Sequence, residues 1–123
     1  MQARNVVLLQ SNPRLTQALV ASLSNSFPSV RQAQSVEELR TCAAKRRAEV
    51  LIVDVEMVSL PEVANLSREF PEVSIVCNHR LADDSLWLAA LNAGADDCCA
   101  SQDPRSILQA ALRNRLHAHS MAA

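Results

Sequence analysis

Short apolar runs alternate with amphipathic stretches along the whole chain. The apolar runs predict five strands, at about residues 6–9, 30–33, 50–54, 73–77 and 98–100. Apolar residues at helical spacing predict helices over about residues 13–23, 36–47, 60–70, 83–93 and 104–116. Strands that alternate with helices are typical of a parallel sheet covered on both faces. We therefore predict an α/β fold, a doubly wound five-stranded parallel sheet with five helices, in a single domain over residues 1–123.

Capping signals mark the helix ends. Helix starts are indicated at Asn12-Pro13, Ser35 to Glu38, Ser59 to Glu62 and Asp103-Pro104. The two serine–glutamate pairs match the capping box, in which each side chain accepts from the other residue's amide. Gly94 is expected to end the fourth helix in a left-handed conformation. The last helix carries one apolar stripe, formed by Ile107, Leu108, Ala111, Leu112 and Leu116.

Composition and charge exclude several classes of protein. The net charge is -1 and 2 % of the residues are aromatic, which disfavours a nucleic-acid binder. No apolar run approaches the roughly 18 residues that span a bilayer, and no signal peptide is recognised at the start. We expect a cytoplasmic protein that binds neither nucleic acid nor membrane.

The cysteines and histidines do not form a recognisable metal site. Cys42, Cys77, Cys98 and Cys99 lack the CxxC spacing, and neighbours on a strand point to opposite faces. Buried small apolar side chains are the ordinary role of such cysteines. A zinc site at Cys77 and His79 would need two further ligands, and His117 and His119 are expected to be solvated. We predict no bound metal.

One carboxylate lies where open α/β sheets place their chemistry. Asp54 ends the apolar run that begins at Val50, at the carboxyl end of a predicted buried strand. The first predicted strand ends beside it in Gln10 and Ser11, which bring no acid. Asp54 is therefore expected to stand without carboxylate neighbours.

The order of elements, with three local motifs, resembles the receiver domain of two-component response regulators over essentially the whole chain. The motifs are Leu51–Asp54 with Met57, Ala93–Asp97, and Asp103-Pro104. The resemblance implies a role in signal transduction and a phosphoacceptor position at Asp54. It also implies that the other positions of the phosphorylation site are changed here. The family's acidic pair at the end of the first strand falls at Gln10 and Ser11, and its hydroxyl at the end of the fourth strand falls at Cys77 or Asn78. Its lysine at the end of the fifth strand falls at Ser101, and its aromatic switch residue falls at Cys98.

These changes remove the groups that would hold a cation and stabilise charge. Magnesium prefers oxygen ligands of high charge density, which Gln10 and Ser11 do not supply. We predict weak or absent magnesium binding, no cofactor, and a neutral hydrogen-bonded plug around Asp54. In the family, the loop after the fifth strand often carries a lysine followed by a cis proline, whereas this chain has Ser101-Gln102 there. A cis bond without proline costs about 2.5–4 kcal/mol, so this bond is expected to be trans.

The sequence predicts an atypical pseudo-receiver that acts as a protein–protein interaction module and is not an enzyme. The resemblance implies partners such as a histidine kinase, another regulator or an output protein, or a second copy of the chain. They would use the face formed by the fourth helix, fifth strand and fifth helix. Its candidate residues are Asp84, Trp87, Asp96, Asp97, Arg105 and Arg113. Trp87 is either a binding hot spot or a core residue that competes with Leu86, Leu88 and Leu91 for the inward side.

Three other classes of function remain as alternatives. A phosphorylatable single-domain response regulator would accept a phosphoryl group on Asp54. A nucleotide- or flavin-binding protein would need a glycine-rich phosphate loop, whereas the single glycine is Gly94. A cysteine-dependent enzyme would need an activated thiolate, with Cys77 and His79 as the candidate pair.

Overall fold

Five strands and five helices alternate in the computed structural model, which describes the backbone of residues 5–122 and the side chains of residues 5–113. The elements are β1 (Asn5–Leu9), α1 (Pro13–Leu23), β2 (Ser29–Ala33), α2 (Val36–Arg46), β3 (Val50–Asp54), α3 (Leu60–Glu69), β4 (Ser74–His79), α4 (Asp84–Asn92), β5 (Asp97–Ala100) and α5 (Pro104–Ala122). The strands form one parallel sheet in the order β2-β1-β3-β4-β5. The predicted doubly wound α/β fold is confirmed.

Two apolar cores lie on opposite faces of this sheet. Leucines of α1 and Ile107 of α5 pack on one face, while α2, α3 and α4 cover the other, for example with Leu39, Leu66 and Ala90. The central strands β1 and β3 are buried at every position, which explains their continuous apolar runs. Burying each such leucine, valine or isoleucine contributes roughly 1.5–3 kcal/mol. Among the described residues, no helix is both long enough and apolar enough to cross a membrane.

The apolar pattern predicts the strands better than it predicts their ends. β4 was expected over residues 73–77 but runs from Ser74 to His79. Asn78 and His79 continue the pairing with β5 because backbone hydrogen bonds do not require an apolar side chain. Cys98 and Cys99 face opposite cores, as the strand pattern predicts. Of the predicted apolar stripe of α5, Leu108 and Leu112 pack against the same core as Ile107. The side chain of Leu116 lies outside the described residues.

The capping signals identify the helix starts correctly, but neither capping box is complete. Ser35 Oγ accepts from the Glu38 N–H at 3.1 Å, while the Glu38 carboxylate accepts from the N–H of Gln34, one residue before the cap. Ser59 Oγ accepts from the Glu62 N–H at 3.3 Å, and the Glu62 carboxylate bonds to an arginine of α2 instead. The prediction of a reciprocal bond to the serine amide is therefore wrong at both sites, because each glutamate carboxylate accepts from another donor.

Gly94 ends the fourth helix as predicted, with a φ of 106°. A Cβ atom at this position would lie 2.3 Å from Ser67 Oγ of α3 and 2.6 Å from its Cβ. Glycine is thus required both by the backbone conformation and by the close approach of α3.

Candidate functional site

The order of the strands brings the predicted site residues together at one edge of the sheet. The chain moves from β1 outward to β2 and then returns to β3 on the other side of β1. In open α/β sheets this reversal leaves a crevice at the carboxyl ends of the two strands. Gln10 and Ser11 follow β1, and Asp54 ends β3.

Asp54 is buried, with 2 % of its surface exposed, and both carboxylate oxygens accept hydrogen bonds. Its Oδ2 accepts from the backbone N–H of Ser11 at 3.1 Å and from the Ser11 hydroxyl at 2.5 Å. Its Oδ1 accepts from the backbone N–H of Glu56 at 2.9 Å. Hydrogen bonds to a carboxylate are about twice as strong as neutral ones, so these neutral donors stabilise a charge on Asp54.

A second set of hydrogen bonds joins β1, β4 and β5 beside Asp54. Gln10 and Asn78 form a reciprocal amide pair, with Gln10 Nε2 donating to Asn78 Oδ1 at 2.8 Å and Asn78 Nδ2 donating to Gln10 Oε1 at 3.0 Å. Asn78 Nδ2 also donates to Ser101 Oγ at 2.8 Å. Asn78 is fully buried and is paired in register with Asp54. We call these three side chains the amide network.

Of Cys77 and Asn78, the structure places Asn78 next to Asp54 in the sheet. Cys77 points to the opposite face, where it lies in the core under α2, α3 and α4, opposite Cys98 on β5. Burial, followed by the neighbouring thiols, raises the pKa of the Cys77 thiol far above its ordinary value. Burial and the nearby Asp97 also raise the pKa of Cys98.

These cysteine environments argue against a cysteine-dependent enzyme. A nucleophilic cysteine needs a lowered pKa, and burial acts in the opposite direction on Cys77. The candidate base is also engaged, because His79 Nδ1 accepts from the backbone N–H of Leu81 at 2.9 Å. The pair therefore lacks the features of an activated thiolate.

The residues around Asp54 do not fit the magnesium ion that the resemblance to receiver domains implies. Magnesium is bound through near-octahedral oxygen ligands, usually including carboxylates. Among the pocket residues Gln10, Ser11, Asp54, Asn78 and Ser101, Asp54 is the single carboxylate. The Gln10 oxygen accepts from Asn78, and the Ser11 hydroxyl donates to Asp54. Within the part of the chain that the structure describes, no three His, Cys, Asp or Glu side chains are grouped to hold a metal ion.

The loops around the pocket are tied to one another. Arg80 Nε donates to Glu56 Oε1 at 2.7 Å, which joins the β4–α4 loop to the β3–α3 loop. Gln102 Nε2 donates to the Arg80 carbonyl at 3.1 Å, which adds the β5–α5 loop. The bond between Ser101 and Gln102 is trans, as predicted.

A second candidate site lies on α4, β5 and α5. Trp87 is 43 % exposed, so the interpretation that it is a core residue is wrong. Its indole Nε1 donates to Asp97 Oδ1 at 3.1 Å, and Arg113 Nη2 donates to Asp97 Oδ2 at 2.7 Å. Three of the predicted face residues, one from each element, are thus in direct contact. We call them the Asp97 cluster.

The other predicted face residues have different environments. Asp84 and Arg105 are exposed in the first turns of α4 and α5. Asp96 is exposed but serves the sheet, because its carboxylate accepts from the backbone N–H of Ile75 at 2.8 Å, near the amino end of β4. Asp96 is therefore separate from the Asp97 cluster and is better explained as a support for β4.

Sequence reasoning missed two exposed leucines. Leu88 is 56 % exposed on α4, although it was expected to compete for the inward side, and Leu81 is 74 % exposed before the helix. Leu86 is the residue that packs against the core. A helix that is apolar on all sides carries no clear signal for which leucine faces outward.

Comparison with known proteins gives matches among solved structures alone. No family model matches the chain, and no curated protein matches it. The RcsB response regulator of Salmonella typhimurium is 22 % identical with a TM-score of 0.78, and the match covers 93 % of this chain but 61 % of that one. This chain thus spans less than two thirds of that regulator.

Two further matches extend over nearly the whole chain. A receiver domain protein from Methanospirillum hungatei is 13 % identical with a TM-score of 0.83, covering 98 % of this chain and 99 % of that one. A response regulator protein from Burkholderia pseudomallei, solved with a phosphorylated aspartic acid and a calcium ion, is 24 % identical with a TM-score of 0.76, covering 98 % of this chain and 73 % of that one. Identities this low show the fold and nothing finer, and the fold of this chain is that of response regulator receiver domains.

Proposed function

We propose that this chain is a receiver domain of a signalling pathway that acts by binding other proteins, without magnesium-dependent phosphorylation of Asp54. The observation that carries the proposal is the bonding of the pocket. Asp54 accepts from Ser11 and Glu56, and the amide network of Gln10, Asn78 and Ser101 occupies the remaining polar positions. Phosphoryl transfer depends on positioning and on stabilisation of charge, so a pocket with neither a cation site nor a lysine is a poor catalyst of it.

The strongest rival is a receiver that does accept a phosphoryl group on Asp54. Its support is the position of Asp54 at the end of β3, together with the Burkholderia protein of the same fold, which carries a phosphorylated aspartic acid. In this chain, however, a phosphoryl group on Asp54 would displace the bonds from Ser11. Its added charge would then face neutral amides and hydroxyls.

A phosphorylation assay separates the two proposals. The protein is incubated with acetyl phosphate and magnesium, and the intact mass is measured. We expect no phosphorylated species, and the same result for the Asp54→Asn variant. A phosphorylated wild-type protein whose signal disappears in Asp54→Asn would overturn the proposal and return the chain to the phosphoacceptor class.

The interaction role is supported by the exposed apolar surface of α4. Trp87 and Leu88 are both more than two fifths exposed, and tryptophan is enriched in binding hot spots. The partners that fit a receiver are a histidine kinase, another regulator, an output protein or a second copy of this chain. Each of them would bind by covering Trp87 and Leu88.

Partner binding can be tested with a surface variant and a matched control. Trp87→Ala changes the α4 surface, while Gln17→Ala changes an exposed residue of α1, which packs on the other face of the sheet. We expect complexes captured from the native cell, and any self-association in sedimentation, to be lost in Trp87→Ala and kept in Gln17→Ala. Equal retention by both variants would contradict the proposed face.

A further inference from the structure

We infer that Asp97 is a positioning residue that holds Trp87 in a fixed orientation before any partner arrives. The inference rests on the proposed function, because it concerns the same face of α4, β5 and α5. Asp97 lies on the edge strand of the sheet, between the two helices. Its carboxylate contacts all three elements through one side chain.

The two oxygens of Asp97 have separate tasks. Oδ1 accepts from the Trp87 indole N–H at 3.1 Å and from the backbone N–H of Cys98 at 2.8 Å. Oδ2 accepts from Arg113 at 2.7 Å. The Asp97 side chain is 19 % exposed, whereas that of Arg113 is 66 % exposed, so the carboxylate is the anchored member of the pair.

The bond to Cys98 gives Asp97 its firm position. The backbone N–H of Cys98 donates to the carboxylate of the neighbouring Asp97. The same bond fixes the carboxylate against the backbone, so that Oδ1 faces the indole. Trp87 is therefore ordered although the residue is 43 % exposed.

Ordering this side chain in advance lowers the entropy cost of binding. Immobilising a side chain at an interface costs enough to weaken binding by about two- to tenfold. In the wild-type protein Asp97 already holds Trp87, so a partner meets a fixed apolar ring. We expect loss of this hold to weaken partner binding by that factor, without removing Trp87 itself.

The chain contains one tryptophan and no tyrosine, so its fluorescence reports on Trp87 alone. Time-resolved anisotropy of the isolated protein measures the local motion of the ring. We expect the wild-type signal to decay with the tumbling of the whole domain. In Asp97→Ala we expect an added fast component, because free exposed side chains reorient within picoseconds to nanoseconds.

Two further variants separate the indole bond from the ion pair. Asp97→Asn keeps an oxygen for Trp87 and Cys98 but loses the charge that pairs with Arg113, and Arg113→Gln removes the ion pair alone. We expect both to keep the slow decay of wild type. The inference is wrong if Asp97→Ala decays like wild type, or if Asp97→Asn is as mobile as Asp97→Ala.

A measurement on the wild-type protein covers the case in which Asp97→Ala does not fold. The single indole N–H gives one nitrogen–proton NMR signal, and a bond to Asp97 should slow its exchange with solvent. Exchange at the rate of a free indole would refute the inference. Loss of partner binding has no influence on either spectroscopic result, so failure of the proposed function can be told apart from failure of this inference.

Discussion

At the scale of single residues, the missing carboxylates beside Asp54 determine how the pocket responds to cations. The double change Gln10→Asp and Ser11→Asp should create a magnesium site, since three carboxylates would then meet at one edge of the sheet. Without the ion their mutual repulsion should lower the melting temperature. Magnesium at 100 times its dissociation constant should restore about 2.7 kcal/mol. Thermal melts with and without magnesium check this, and a wild-type protein stabilised to the same extent would contradict it.

Asn78 is the residue on which the amide network depends. Asn78→Ala leaves the side-chain oxygen of Gln10 and the hydroxyl of Ser101 without their partner. Unsatisfied buried polar groups cost about 1–3 kcal/mol, so urea unfolding should show a loss of that size. Asn25→Ala, at an exposed turn, is the control and should change stability by less than about 0.5 kcal/mol. A loss no larger than the control's would mean that water replaces the network.

The buried thiols predict how stability depends on alkaline pH. Burial raises the pKa of Cys99 to about 12 and that of Cys77 further, from an ordinary value of 9.0. Above about pH 9 the unfolded chain therefore loses thiol protons that the folded chain keeps, and the free energy of unfolding falls as pH rises. Urea titrations from neutral pH to about pH 11 should show this fall. In Cys99→Ala the free energy of unfolding should fall less steeply with pH. An unchanged slope would contradict the raised pKa of Cys99.

At the scale of elements, Gly94 sets the geometry between α3 and α4. Gly94→Ala should destabilise the fold by about 1–3 kcal/mol, because its φ of 106° strains any residue with a Cβ atom and because Ser67 occupies the space. Calorimetry or urea unfolding measures the loss. Asn92→Ala, an exposed position two residues earlier at the end of α4, is the control. A Gly94→Ala protein as stable as the control would show that α3 can move away.

The elements also show what the sequence can and cannot predict. The strands of the sheet follow from apolar runs, and the predicted helix starts follow from Asn12, Ser35, Ser59 and Asp103, since each signal is local. The amide network joins residues 68 and 23 positions apart, and no local pattern indicates that Gln10, Asn78 and Ser101 meet. The hydrogen-bond partners of Glu62 and Asp97 were missed for the same reason, because those partners lie on other elements of the fold.

At the scale of the whole molecule, the pocket and the face of α4, β5 and α5 are built from the same strand, since β5 carries Asp97 at one end and is followed by Ser101 at the other. In this chain each end is held by its own hydrogen bonds. Ser101 is bonded to Asn78, and Asp97 is bonded to Trp87 and Arg113. We therefore expect a face that does not depend on a chemical change at Asp54.

This independence gives a prediction for paired variants. Asp54→Asn keeps the shape of the side chain and should leave partner binding close to wild type. Charge reversal at the exposed positions Asp84 or Arg105 should weaken binding, while exposed changes of this kind usually alter stability by less than about 0.5 kcal/mol. Binding is measured against thermal melts of the same proteins, so that loss of binding is separated from unfolding. If Asp54→Asn loses partner binding while the charge-reversal variants bind like wild type, the Asp54 carboxylate controls the face.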